Sequence, residues 1–236
     1  LPSDAVTIRD RVGVRLGPIL SDILIGAVLF AVISRLRDRG SGCAAAALYL
    51  FNPATICNSA LCNYDSIPSL LILATVICAG LAFDRRQGGW MAAASCCAAL
   101  AFVTKLQAVM ILPMLGLLCL LYGSWRTVVF CAIAFLGISA VAYGPWLLAG
   151  RFDYLHKVFV VSFQDYPTTH VNSFNLWGLW FQMPVTTRII GVTAETWGRL
   201  TLIVTFVILA VPLVLRRQSL LAGARAHSTV ALVSAY

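Results

Sequence analysis

Charged residues are scarce in this chain of 236 residues. Asp, Glu, Lys and Arg together make up 11% of it, whereas 60% of the residues are hydrophobic. Soluble domains carry about a quarter charged residues. The shortage of charge excludes a soluble enzyme or a soluble binding module, and the mean hydropathy of +0.89 indicates an integral membrane protein.

Acidic residues are the scarcer of the two signs, which leaves a formal net charge of +8. The basic residues form short clusters between apolar runs and do not alternate with aromatic residues, as they do in proteins that stack nucleic-acid bases. This is the positive-inside pattern of membrane proteins. We therefore predict no nucleic-acid partner and place three clusters on the cytoplasmic side: Arg35 with Arg37 and Arg39, Arg85 with Arg86, and Arg216 with Arg217.

The chain also lacks metal-binding motifs. Its eight cysteines show no zinc spacing, and no acidic pair of the DxD type is present. We predict no metal site and no cofactor, and leave a divalent metal open. Most of the cysteines lie in apolar segments, where cysteine packs as a small hydrophobic residue. Cys57 and Cys62 flank one outer loop, either as a disulfide or as two packing residues.

Long apolar runs dominate the sequence and are long enough to cross a bilayer. We predict an all-α, polytopic transmembrane helix bundle that forms a single membrane domain over residues 1–236. With the arginine clusters inside, the spans are 18–33, 43–57, 66–83, 90–104 with 108–122, 127–149 and 199–215. Several of these are shorter than the roughly 20 residues of a full crossing. Short and broken helices predict a wet pocket, which we place at the outer face.

Residues 90–122 are too long for one ordinary span and carry Lys105 and Gln107 near their middle. A charge at that depth in lipid costs several kcal/mol. We therefore predict two short segments that meet at the outer face around Lys105.

Residues 150–198 form the longest predicted loop, which we place outside the cytoplasm. In its first part Phe152, Leu155, Phe159 and Phe163 recur at helical spacing. This pattern predicts an amphipathic helix that lies in the membrane interface.

Lys105 has no acidic residue three or four positions away and needs an anion. The phosphate of a lipid carrier is one possibility, and Asp65 or Asp22 on a neighbouring helix is the structural alternative.

Asp65 precedes the span that starts at residue 66. It is either an N-terminal cap or first-turn acid of that helix, or a carboxylate that binds sugar hydroxyls or takes a proton. The structural and functional roles are compatible.

A third set of polar residues lies in TTHVNSFNLWGLWF, where His170, Asn172 and Asn175 are mixed with aromatic residues. Aromatic rings stack on the faces of sugar rings while amides bind hydroxyls, so the mixture suits carbohydrate. The same aromatics also suit an interfacial belt.

Three segments together carry a family resemblance: LFNPATICNSALCNYDSIPSLL, ALAFVTKLQAVMILPML and VNSFNLWGLW. In order and spacing they resemble the polytopic GT-C glycosyltransferases that use polyprenyl-phosphate sugars, particularly bacterial mannosyltransferase-like members. One departure is that Asn63 and Tyr64 precede Asp65 in place of the glycine and glutamine often found there.

The resemblance implies transfer of a hexose, mannose or glucose, from a polyprenyl-phosphate carrier to a lipid or glycan acceptor, with inversion at the sugar. It places the enzyme in the bacterial inner membrane with its active site facing the periplasm. The principal base of such enzymes lies in the first outer loop. Because the sequence opens at Leu1 and stops at Tyr236, within an apolar run that begins near Ser228, we expect it to be a piece of a longer protein. We expect that loop to precede Leu1.

On this reading Lys105 contacts the donor phosphate, and Asp65 is the catalytic candidate in a supporting role. The remaining predicted substrate-binding residues are Gln107, Asn63, His170, Asn172, Asn175 and Arg15. Two other functions remain open: a transporter or flippase of a lipid-linked substrate, and a non-catalytic membrane subunit.

Overall fold

The computed structural model describes residues 8–60, 64–85, 88–122, 124–161 and 186–215. Almost all of these residues are helical, so the all-α prediction is confirmed. In chain order the helices are α1 Ile8–Leu36, α2 Arg39–Leu50, α3 Pro53–Ala60, α4 Ser66–Arg85, α5 Gly88–Thr104, a 3-10 helix Leu106–Ile111, α6 Leu112–Tyr122, α7 Trp125–Leu148, α8 Phe152–His156, a π-helix Lys157–Val161 and α9 Ala194–Leu215. A two-stranded antiparallel hairpin, β1 Arg188–Ile189 and β2 Val192–Thr193, precedes α9.

Among the described residues, three helices are long and apolar enough to cross a membrane: Arg15–Leu36, Trp125–Leu148 and Thr196–Leu215. Three further apolar stretches are shorter: Ser66–Ala82, Gly88–Thr104 and Leu106–Leu121. The mixture of long helices with short or broken ones agrees with the predicted membrane bundle.

A tight turn joins α1 to α2, which packs back along α1. Asp38 caps α2 by accepting a hydrogen bond from the Ser41 backbone N–H at 2.8 Å, and this bond lowers the pKa of the Asp38 carboxyl. The close approach depends on Gly42, because a Cβ there would lie 2.8 Å from the Phe30 carbonyl oxygen and still closer to the Ser34 hydroxyl. The predicted connection 34–42 was therefore too long, since the cap starts α2 at residue 39.

Gly42→Ala is expected to destabilise the α1–α2 pair by about 1–3 kcal/mol, the usual cost of forcing atoms into a packed contact. Gly116→Ala is the matched control, since a Cβ at that position in α6 would meet no atom within 4 Å beyond its chain neighbours and the adjoining backbone of its own helix. Thermal unfolding of the full-length protein in detergent should show a lower midpoint for the Gly42 variant and no loss for the control. Equal midpoints for the two variants would contradict the close packing.

The predicted span 43–57 was wrong as a single helix, because it is divided between α2 and α3 at Phe51 and Asn52. Proline disfavours helical backbone at the residue before it, so Pro53 interrupts the helix at Asn52. The Asn52 side chain then accepts a hydrogen bond from the Ala54 backbone N–H at 2.9 Å and caps α3.

The core lies between α4, α5, α6 and α7 and consists largely of small residues. Its buried members are Ala79, Ala82, Met91, Ala94, Ala98, Leu115, Cys119 and Cys131. Small side chains let membrane helices approach closely. The Ser95 hydroxyl donates to the Cys131 carbonyl oxygen at 2.7 Å and ties α5 to α7. The core lies toward the end of α4 and the beginning of α5, and it holds together two helices whose other ends carry the polar residues of interest.

The segment after α7 is helical over Phe152–His156 and Lys157–Val161. The Phe159 ring lies 5.2 Å from the Tyr143 ring of α7 and 6.2 Å from the Phe102 ring near the end of α5, measured between centroids. Residues 152–161 are thus helical, whereas the predicted amphipathic helix in the membrane interface, whose Phe163 lies outside the described residues, stays a prediction. α9 begins before residue 198 because the Thr193 side chain accepts a hydrogen bond from the Thr196 N–H at 3.3 Å.

Candidate functional site

Lys105 lies at a break in the helical path between α5 and the 3-10 helix. Its backbone is extended, with φ −150° and ψ 116°. The Lys105 N–H still donates to the Ala101 carbonyl at 2.8 Å, and the Lys105 carbonyl accepts from the Ala108 N–H at 2.9 Å. The break predicted at this position is confirmed. Because the N–H and the carbonyl of Lys105 both have hydrogen-bond partners, the break leaves no backbone polar group of Lys105 unsatisfied.

Asp65 lies directly before α4, where the sequence predicted a residue at the helix start. Its backbone carbonyl accepts hydrogen bonds from the Ser69 N–H at 3.2 Å and from the Ser69 hydroxyl at 2.7 Å. The Asp65 carboxylate reaches across to α5 and accepts a hydrogen bond from the Lys105 ammonium.

The Asp65–Lys105 ion pair joins the beginning of α4 to the break after α5. The two side chains are 36% and 37% exposed, so the pair forms part of an accessible wall. Of the two acids considered as structural partners of Lys105, Asp65 is the one that pairs with it. A pair exposed to this degree contributes about 0–1 kcal/mol. An incoming anion can therefore compete for Lys105 at small cost.

A cavity of about 280 Å³ adjoins the pair. It is lined by Asp65, Pro68, Ser69, Ile72, Lys105, Gln107 and Ala108. The cavity brings together an ammonium group, a carboxylate, an amide and a hydroxyl, which can hold an anion beside a group rich in hydroxyls. Three residues predicted or considered for substrate contact thus share one site. Ser69 was not predicted, although its spacing of four from Asp65 places both on one helix face.

A second cavity of about 420 Å³ lies between α1, α2 and α3. Arg15 lines this cavity together with Asp22 and Ser59, so it lies apart from the lining of the Asp65–Lys105 cavity. The Asp22 carboxylate accepts hydrogen bonds from the Tyr49 hydroxyl at 2.8 Å and from the Ser59 hydroxyl. The sequence considered Asp22 only as an alternative partner of Lys105, whereas the structure bonds it to Tyr49 and Ser59.

The part of the chain that carries this geometry matches a known protein family. A family model described as dolichyl-phosphate-mannose-protein mannosyltransferase matches residues 5–147, which is more than half of the chain. The chain belongs to this family. The match runs from α1 to the end of α7 and includes Asp65, Lys105 and Gln107. Searches of curated proteins and of solved structures gave no match to the chain.

As a member of the dolichyl-phosphate-mannose-protein mannosyltransferase family, the protein is an integral membrane glycosyltransferase of the GT-C type that uses a polyprenyl-phosphate-linked sugar. The family resemblance seen in the sequence is confirmed. The remaining predicted site residues, Asn63, His170, Asn172 and Asn175, lie outside the described residues, so their roles stay predictions.

Proposed function

We propose that the protein transfers mannose or glucose from polyprenyl phosphate to a lipid or glycan acceptor at the outer face of the bacterial inner membrane, with inversion at the sugar. The observation that carries the proposal is the cavity formed around the Asp65–Lys105 pair, which suits a phosphorylated sugar better than an apolar ligand. It lies within the part of the chain that matches the family.

The Lys105 ammonium binds the donor phosphate in this proposal. The phosphate takes the place of the Asp65 carboxylate as the negatively charged partner of Lys105. Lys105 therefore has an anionic partner before and after the donor binds. The Gln107 amide lines the same cavity and supplies hydrogen-bond donors to phosphate or sugar oxygens.

Asp65, once separated from Lys105, accepts hydrogen bonds from sugar hydroxyls or takes the proton that the acceptor hydroxyl releases. In the transfer step the acceptor oxygen forms a bond to the anomeric carbon while the bond from that carbon to the phosphate oxygen breaks. Polyprenyl phosphate leaves with the electron pair, and the proton passes to a carboxylate.

The placement at the outer face is supported by the ends of the helices. Asp65 precedes α4, whereas Arg85 ends it, and a helix of this length spans about 30 Å. Arg35 likewise lies in the last turn of α1, at the other end from Arg15. Because clustered arginines favour the cytoplasm, the Asp65–Lys105 cavity faces the periplasm in this proposal.

The substrate-binding roles of Asn63, His170, Asn172 and Asn175 belong to the same proposal as residues that close the pocket over the sugar. Arg15 lines the second cavity. In this proposal Arg15 therefore contacts a different part of the substrates, whereas Lys105 holds the donor phosphate.

The test is transfer by the full-length protein, purified and reconstituted in vesicles. Radiolabelled mannose or glucose is supplied on polyprenyl phosphate, or as a nucleotide sugar in a parallel reaction, together with lipid and glycan acceptors. Protein acceptors are included because the family's description names them. We expect labelled product from the polyprenyl donor alone.

Direct use of the nucleotide sugar would contradict the proposed donor. Movement of the labelled lipid across the vesicle membrane without formation of a glycosidic bond would favour a flippase instead. Label found only in protein would correct the proposed acceptor.

A further inference from the structure

Asp22 is a buried carboxylate for which the proposed reaction has no use. It is 6% exposed and lies inside the apolar stretch Arg15–Leu36 of α1. An acid in such a position is costly unless hydrogen bonds satisfy it. Two hydroxyl groups do so, those of Tyr49 and Ser59.

The two hydroxyls come from different helices and therefore hold different parts of the chain. Tyr49 lies near the end of α2, whereas Ser59 lies in α3 and is itself 8% exposed. α3 has only eight residues and follows the interruption at Asn52, so it has little stability of its own. The hydrogen bond from Ser59 fastens this short helix to α1.

Ser59 is also close in the chain to the candidate site, since Asp65 follows six residues later. α3 also packs directly against α4, whose start Asp65 precedes. Fixing Ser59 therefore helps to hold Asp65 at the beginning of α4. The Asp65 carboxylate is also held by its ion pair with Lys105.

We propose that Asp22 and Ser59 form a latch that positions Asp65 in the donor cavity. Both are positioning residues that act on Asp65 through α3, and neither lines the Asp65–Lys105 cavity. Loss of the latch should loosen residues 64–69, whatever the reaction. The expected loss of transfer activity rests in addition on the proposed function of the Asp65–Lys105 cavity.

Tyr49 supplies a matched control for the latch. Ser59→Ala and Tyr49→Phe each remove one hydroxyl donor from the same carboxylate, so each leaves Asp22 with one bond fewer. Only the Ser59 variant releases α3. Ser59→Thr keeps a hydroxyl, and the adjoining cavity of about 420 Å³ has room for its extra methyl group.

Two measurements on the full-length protein in lipid nanodiscs test the proposal. The first is hydrogen–deuterium exchange of the peptide that covers residues 64–70. The second is kcat/KM for transfer from a polyprenyl-phosphate sugar. Ser59→Ala should speed the exchange and lower kcat/KM about tenfold, because small displacements of substrate-contacting groups are costly. Tyr49→Phe should change kcat/KM less than about twofold, and Ser59→Thr should restore both values toward those of the wild type.

Equal effects of Ser59→Ala and Tyr49→Phe on exchange and on kcat/KM would overturn the latch and leave Asp22 with a purely structural role. Unchanged exchange in Ser59→Ala would overturn it as well. If the wild type transfers no sugar, the proposed function fails, but the exchange measurement still decides whether Ser59 positions residues 64–69.

Discussion

Lys105→Ala is expected to lower kcat/KM for the polyprenyl-phosphate donor by about ten- to a hundredfold. A hydrogen bond to a charged group contributes about 1.5–3 kcal/mol, and each 1.4 kcal/mol corresponds to a factor of ten. Lys105 is the cation that lines the described cavity beside Asp65. The effect should appear mainly in KM, because the phosphate is bound before the sugar is transferred. Steady-state kinetics of the reconstituted full-length protein give both constants.

Two variants control for this result. Lys105→Arg keeps the positive charge and should retain part of the activity, since a guanidinium also binds phosphate. Gln107→Ala removes an uncharged group from the same cavity and should cost less than about tenfold. An Ala variant at Lys105 that keeps the wild-type KM, at equal protein level, would place the donor phosphate elsewhere.

Asp65→Asn is expected to lower kcat by about a hundredfold if the carboxylate takes the proton of the acceptor, because general base catalysis contributes about 10²- to 10⁴-fold. If Asp65 only binds sugar hydroxyls, the loss should be nearer tenfold and should fall on KM as well. The stability of the variant should change by less than about 1 kcal/mol, since the ion pair is about one-third exposed. Single-turnover measurements separate the two roles of Asp65.

An exchange of the two residues, Asp65→Lys with Lys105→Asp, distinguishes a functional pair from a structural one. The swapped pair can form the same ion pair and should unfold at nearly the wild-type temperature. It should remain inactive, because the phosphate would meet a carboxylate in place of an ammonium. Recovery of transfer in the swapped protein would show that the pair acts only by holding α4 to α5.

The break at Lys105 could be predicted because a lone charge within an apolar stretch is expensive in lipid. The break at Asn52 was missed, although the Asn-Pro dipeptide that causes it is a known signal of a helix boundary. The apolar run and the alternation of membrane sides outweighed that signal and favoured a single span over residues 43–57. Composition thus predicted the class of fold more securely than it predicted the ends of the helices.

The site was partly predictable because polar residues stand out in an apolar sequence. Lys105, Gln107 and Asp65 were selected one by one as polar groups in apolar surroundings, and the cavity brings them together. The sequence left the partner of Lys105 open between Asp65 and Asp22, since the choice depends on how helices distant in the chain pack. The Asp22 network was missed because tyrosine and serine are ordinary residues in membrane helices. Only the packing of α1, α2 and α3 identifies Tyr49 and Ser59 as its donors.

Binding of sugar-free polyprenyl phosphate to the purified full-length protein tests the central claim most directly, since it requires no acceptor and no catalysis. The wild type and the Lys105→Ala variant would be titrated in nanodiscs of neutral lipid, with Gly116→Ala as a control variant outside the lining of the cavity. The proposed donor site predicts a dissociation constant at least about tenfold higher for Lys105→Ala and unchanged for Gly116→Ala. Equal affinities of the wild type and the Lys105 variant would contradict a donor phosphate bound at Lys105.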